Sequence, residues 1–388
     1  MTAQWTIQPR DTNLGRTYDP VRFWSKLDVV ERHNVLATVP GAWSVTARNE
    51  GLKGLLSAGN GVILFRDGVQ VMSGPIASIE RGPYVSTVAG WSDLTQLGGR
   101  GILPDPSVPI ASQTKAYDDR SGPAETVLLG YTAANAGPAA LPSRRIAKLR
   151  LPASQGRGGT VSVKGRFDQL LAVVLDVAEA GGLHVEVQHS VDLGGPYLQV
   201  VVRPVRDRSG NVRFGTGAAF TGATIGDDWS YTLTRPTVTT AIVAGGGTGA
   251  ARVLVERTST AAESAWVARV EELIDQAATT NYDDLVQAGD DALADGAEPV
   301  SISFTVSDSV DVRYRRDWQV GDIVGVSLDG QNLTAPVREV TTTVEKSNGQ
   351  STEKITGVVG SRDASNWTTK TNTNVAKALR AIDRLRTS

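Results

Sequence analysis

Apolar and polar residues alternate at period two through much of residues 35–98, as expected for strands with one buried face. The stretch LLSAGNGVILFRDGVQVMSGPIASIE carries two such runs joined by Asp67-Gly68, a dipeptide that tolerates the positive φ angles of a tight hairpin. A third run, PYVSTVAGW over 83–91, follows Gly82, and Pro104, Pro106 and Pro109 then interrupt regular structure.

The period then changes. Residues 121–138 predict a helix with Ser121 as N-cap, Pro123 in the first turn and Glu125 near the positive helix end. Val127, Leu128 and Tyr131 form its apolar stripe, and Gly137-Pro138 stops it. A second helix is expected at FDQLLAVVLDVAEAGG, with Phe167, Leu170, Leu171, Val174 and Ala178 on one side and Gly181 closing it. Strand-like runs follow at LHVEVQ (183–188) and YLQVVVRPV (197–205). Their hairpin-length link makes this a mixed α/β insert rather than a βαβ nucleotide fold.

From about residue 237 the strand pattern resumes, with TTAIVAGGGTGAARVLVERT turning on glycines. Thr260 and Glu263 have capping-box spacing and open a helix predicted to carry Trp266, Val270, Leu273, Ile274 and Ala277. Asn281, with Asp283 and Asp284, opens another that ends before Gly296. The runs SISFTV, WQVGDIVGVSLDG, APVREVTTTVEKSNG and STEKITGVVGS complete the strands, with hairpin signals at Asp329-Gly330 and Asn348-Gly349.

An internal echo joins the halves. RDG (66–68) leads to Pro75 and on to VAGWS, while LDG (328–330) leads to Pro336 and on to VVGS. This predicts two related β units flanking the insert. In the tail, Val375, Ala378, Ile382 and Leu385 recur at spacings of three and four. Two heptads are marginal alone in water, so this seam needs its own body, a sister copy or another protein.

The chain has 388 residues, enough for two or three domains at roughly 100–200 residues each. Lys and Arg number 39 against 41 Asp and Glu, so no basic excess marks a general nucleic-acid binder. Without cysteine there is no disulfide framework, thiolate nucleophile or zinc ribbon, and only three histidines remain for metal work. Neither a signal peptide nor a long apolar run is read, so a soluble protein made in a cytoplasm is expected, with no membrane span.

Motifs of catalysis are weak. Gly245–Ala250 satisfies GxGxxA, but strand-like ARVLVER follows where a phosphate site needs a helix N-terminus. His184 and Glu186 share a strand face while His189 points to the other, which is awkward for three metal ligands, and His33 has no partner in sequence. The pairs Asp118-Asp119, Asp227-Asp228, Asp283-Asp284 and Asp290-Asp291 read chiefly as helix-end and surface charges. Eight tryptophans are scattered rather than clustered. No catalytic residue, metal site or cofactor is assigned.

The run YDDRSGPAETVLLGYTAANAGPAALPSRR (117–145) resembles the tail-hub minor tail proteins of long-tailed actinobacterial bacteriophages. The matching residues are Arg120, Ser121, Gly122, Ala124, Glu125 and Thr126, then Asn135, Ala136, Gly137, Ala139 and a displaced Arg144. GVILFRDGVQVMSGPI, GRGGTVSVKGRFDQLL, IVAGGGTGAAR and DWQVGDIVGV fall in family order, although GGGTGAAR lacks the family's acidic residue after the glycines.

The resemblance implies an α+β, mainly β fold of two related antiparallel β-barrel domains with an inserted α/β domain and a short C-terminal helix. The expected divisions are 1–104 (completed by about 226–240), 105–225, 237–362 with a helical insertion at about 260–297, and 363–388. It also implies a non-enzymatic homotrimer at the virion tail tip, assembled in the host cytoplasm. The implied partners are the tail tube or distal tail protein, the tape measure protein, central fibre or other minor tail proteins, and genomic DNA in transit. The competing reading is a tail-associated cell-wall glycan binder or peptidoglycan hydrolase. Val375, Ala378, Ile382 and Leu385 are the candidate docking or oligomer seam.

Overall fold

The computed structural model describes residues 3–17, 19–35, 41–57, 59–216, 223–225, 229–277, 279–297, 300–306, 312–328, 331–347 and 350–360. The chain separates into two compact units. One holds Met1–Trp229 and Ser303–Val359, and the other is described over Ser230–Ile302.

The first unit opens with β1 (Trp5–Arg10), β2 (Trp24–Arg32), β3 (Trp43–Arg48), β4 (Gly61–Arg66), β5 (Val69–Arg81) and β6 (Val85–Gly90). Alternation dictates which face turns inward: in β3, Trp43, Val45 and Ala47 are buried and the residues between them are not. Asp67 and Gly68 take φ of 51° and 79° and close the expected β4–β5 hairpin.

The stretch expected as an insert follows, with β7 (Asp118–Pro123), α1 (Ala124–Asn135), β8 (Leu149–Arg150), β9 (Thr160–Gly165), α2 (Leu170–Ala180), β10 (Leu183–Asp192) and β11 (Gly195–Pro204). β10 and β11 form the expected hairpin, and Gly181 caps α2. Two details differ from the sequence reading. Ser121 lies in β7, paired with Ser162 of β9, so strand pairing displaces the helix start to Ala124. Phe167 stands outside α2 with φ of 58° and is exposed, whereas Leu170, Leu171, Val174 and Ala178 enter the core with Val127, Leu128 and Tyr131.

β12 (Arg213–Gly215) and β13 (Ala223–Thr224) then pair in parallel. The second unit contains β14 (Ser230–Leu233), β15 (Thr240–Ala244), β16 (Leu254–Thr258), α3 (Thr260–Trp266), β17 (Glu271–Asp275) and α4 (Tyr282–Asp295). The long helix expected from Thr260 is broken. Val267 adopts a left-handed φ of 48°, and residues 271–275 instead pair in parallel with β15. Sheet pairing overrides helical periodicity there. α4 starts as expected, with the Asn281 side chain accepting from the Asp283 N–H, and Gly296 caps its end.

After β18 (Val300–Val306), β19 (Ile323–Leu328), β20 (Gln331–Ser347) and β21 (Gln350–Gly360) complete the strands. The main sheet runs β1-β4-β5-β6-β3-β2-β20-β19-β12-β13, with β21 on β20. The fold is mainly β and largely antiparallel. Among the described residues, however, these strands close no barrel. β2 pairs directly with β20 over Lys26–Arg32, so the halves expected as separate barrels share one sheet.

The echo has a geometric counterpart. Pro75 lies opposite Gly61, the first residue of β4, and Pro336 lies opposite Ile323, the first residue of β19. One residue past each proline the strand begins to pair with the next, Ile76 with Gly90 and Val337 with Val359. The register slips at the same offset in both, between Ile76 and Ser78 and between Val337 and Glu339. Ile76 and Val337 each donate at 2.9 Å to the carbonyl just before the paired strand, Asn60 and Asp322. Proline lacks an N–H and is tolerated within a long strand where pairing is irregular, and such bulges let a strand turn between sheets.

Candidate functional site

The residues that carry the 117–145 signature act inside the insert. Glu125 is fully buried at the start of α1, where the Gln155 and Arg157 amides each donate to it at 3.0 Å. The Arg157 guanidinium adds a 2.6 Å bond, and this pairing holds the Glu125 carboxyl below its ordinary range despite burial. Arg120 grips Asp118 at 2.9 and 3.0 Å and lies 4.9 Å from the centre of the Tyr131 ring. Tyr131 donates to the carbonyls of Asp118 and Val163. Asn135 accepts from the Leu103 amide at 3.0 Å, and Arg144 donates to the Gly101 carbonyl. The signature therefore specifies a scaffold, with no reactive constellation.

A second polar cluster ties that scaffold to both proline-bearing stretches. His33, just past β2, meets His184 of β10 with Nδ1 atoms 3.0 Å apart and rings 5.2 Å between centres. Only one of the facing nitrogens carries a proton in such a contact. Burial, reinforced by Arg203 and His33, pushes His184 well below its ordinary pKa and keeps it neutral. Glu179, at the end of α2, accepts from Asn34 at 3.1 Å and Arg338 of β20 at 2.8 Å, with His33 3.5 Å away. Burial opposes its charge, but Arg338, His33 and Asn34 together leave its pKa lowered. Gly321 stands where an added Cβ would come within 2.8 Å of His33 Nδ1. Nearby, Glu31 accepts from Tyr314 and Arg315, and Arg315 also donates to the Val71 carbonyl at 2.7 Å.

Sequence reasoning gave His33 no partner and missed Glu31, Glu179, Arg315 and Arg338. These groups are over a hundred residues apart from their partners in most cases, and no local spacing links them. Glu179 stands as a single charge within VAEAGG, whereas Arg338 adjoins Glu339 and Arg315 lies among Arg313, Arg316 and Asp317, so no shared sign pairs them.

The other candidates resolve individually. His189 is buried against the Leu14 carbonyl. The glycines of 245–249 lead to a single turn at Gly249–Ala251 and then β16, which is a turn rather than a phosphate cradle. Asp283 and Asp284 occupy the first turn of α4, Asp118 pairs with Arg120, and Asp290 with Arg257. Asp227-Asp228 lies outside the described residues, as does the Val375, Ala378, Ile382 and Leu385 seam. Trp5, Trp24, Trp43 and Trp318 are core side chains. Among the described residues, no cluster of three or more His, Asp or Glu could hold a metal ion, and no helix is long and apolar enough to cross a membrane. A cavity beside the polar cluster, lined by Glu31, Gln70, His184 and Glu186, has a volume of about 90 Å³. Sites for drug-sized ligands run to roughly 300–1,000 Å³, so this cavity is too small for one, while a second, more open pocket of about 470 Å³, lined by Leu103, Ile110, Leu141 and Arg144 among others, falls within that range.

Over residues 8–357 the chain matches the family described as siphovirus ReqiPepy6 Gp37-like proteins. The chain belongs to this family. Its fold resembles the tail protein from Neisseria meningitidis MC58, at 14% identity and TM-score 0.57, over 93% of this chain and 97% of that one. It also resembles the 43 kDa tail protein of prophage MuSo2 from Shewanella oneidensis, at 11% identity and TM-score 0.57, over 92% of this chain and 99% of that one. No curated protein sequence matches. The family is a siphovirus one, and the fold is one shared with phage tail proteins.

Proposed function

We propose that this chain is the tail-tip hub, a non-enzymatic homotrimer that joins a sixfold tail tube to threefold fibre or spike proteins and surrounds the DNA exit path. The repeated proline corner carries this reading. A chain with the same strand-pairing device at Pro75 and Pro336 offers two similar units, and three chains in a closed ring then present six. The expected domain divisions follow the same logic, with the insert between the repeats. The tube or distal tail protein would meet the sixfold face, while the tape measure protein and central fibre would occupy the threefold axis. Fold relatives among tail proteins favour scaffold over catalysis.

Mass photometry of the purified chain tests the assembly: a species of three copies is expected. A single copy that also clears host cell walls on a zymogram would replace the hub with the wall-lysin alternative.

A further inference from the structure

The second unit's sheet is covered on one face and only partly on the other, where Thr240 and Ala244 of the central strand are buried and Thr240 donates to Glu263 of α3 at 2.8 Å, while residues of the flanking strands stay exposed. α4 covers the first: Leu285 is buried with Val243 and Val255, and Ile274 packs against them. Pairing places Ile242 beside Glu256 and Leu273, and Ala244 beside Leu254 and Asp275. Because side chains alternate along a strand, Ile242, Leu254 and Leu273 share the face opposite α4. Leu254 and Leu273 are 64% and 69% exposed, and Val267, on the turn leading to β17, is 92% exposed.

Charge frames this apolar strip. Arg269 collects Glu256, Glu263 and Glu271 at 3.1, 3.4 and 2.7 Å, and Arg252 pairs with Asp275. Four carboxylates thus surround two guanidiniums, leaving the rim acidic. The chain contains a segment of opposite character. Residues 371–388 bear Lys377, Arg380, Arg384 and Arg386 against the single Asp383, beside the apolar Val375, Ala378, Ile382 and Leu385.

We propose that the partly open β16–β15–β17 face is the docking site of this chain's own C-terminal segment, residues 371–388. The segment's apolar seam covers Ile242, Leu254 and Leu273, and its basic side chains meet the acidic rim. Tethering raises the segment's effective concentration to the millimolar range, so modest apolar and charge complementarity suffices. Two heptads are marginal as a helix alone in water, so an apolar surface supplies the packing that such a seam needs.

The cysteine-free sequence permits a direct test in the full chain. Leu273→Cys combined with Ile382→Cys is expected to oxidise to an intrachain disulfide, identified by a linked peptide pair after proteolysis. Tyr282→Cys with Ile382→Cys serves as control, since Tyr282 is exposed at the start of α4 on the covered side. Adding Glu256→Lys and Glu271→Lys should slow the 273–382 linkage about tenfold at low salt, and Arg380→Glu with Arg384→Glu should restore it. Equal rates for the 273 and 282 pairs, no linkage, or covalent dimers alone would overturn the proposal. Dimers alone would assign the face to a second copy.

Discussion

The proline corners at Pro75 and Pro336 share their pairing, their bulge and their 2.9 Å backbone bond, yet their side chains have different tasks. At the first corner Gly74 precedes the proline, and an added Cβ would lie 1.7 Å from the Trp91 carbonyl oxygen. Gly90, opposite Ile76, would place a Cβ 2.2 Å from the Trp43 ring. At the second corner Ala335 and Val359 fill the corresponding places. Two residues past Pro336 stands Arg338, buried and paired with Glu179 of the insert, whereas two residues past Pro75 stands the exposed Ala77. One repeat closes backbone tightly on a tryptophan, and the other holds a charge that mounts the insert. Backbone pairing is the part common to the two; packing and charge are where they diverge.

The largest effect that would expose this difference is at Gly74. Gly74→Val meets main chain rather than a flexible side chain, so a loss of about 3 kcal/mol or more is expected in denaturant melts. Ala335→Gly at the matching place should cost only about 1 kcal/mol, mainly through chain entropy. Equal costs would mean that the two corners are packed alike.

Next comes charge. Arg338→Ala leaves the Glu179 carboxylate without its cation and should cost about 2–3 kcal/mol. Ala77→Arg, on the exposed counterpart, should stay within about 0.5 kcal/mol. A smaller loss at Arg338 than at Ala77 would show that the insert is held by other contacts.

Acid provides the smallest and most specific probe. His184 has a folded pKa below the ordinary 6.5, so the unfolded chain binds more protons as pH falls through that value and stability declines. Between pH 7.5 and 5.5 the wild type should lose about 1 kcal/mol relative to a His184→Asn variant. Glu186 and Asp322, raised by burial, act in the opposite sense over the carboxylate range, and comparison at each pH cancels them. No change in the difference between the melts would mean that His184 binds a proton as readily in the fold as in the unfolded chain.

The sequence reveals the β4–β5 and β10–β11 hairpins, the helix over Leu170–Ala180 and the proline echo because each has a local cause: Asp67-Gly68 at a turn, Gly181 at a helix end, Leu170 to Ala178 on one helical face. It misleads where pairing partners are distant. Residues 271–275 follow helical spacing but are claimed by β15, and Ser121 has cap chemistry but is claimed by β9. The shared sheet is hidden for the same reason, since Lys26–Arg32 and Glu339–Glu345 carry no mark of one another. The buried mount is less legible still, because the contact of His33 with His184 exists only once β2 and β10 have been brought together.

The hub account is tested most directly by electron cryomicroscopy of a siphovirus tail tip built with this chain. Three copies should ring the tail axis, with the Pro75 and Pro336 units alternating around the channel against the tube. Copies set off the axis, or six copies each meeting the tube through one unit, would contradict it.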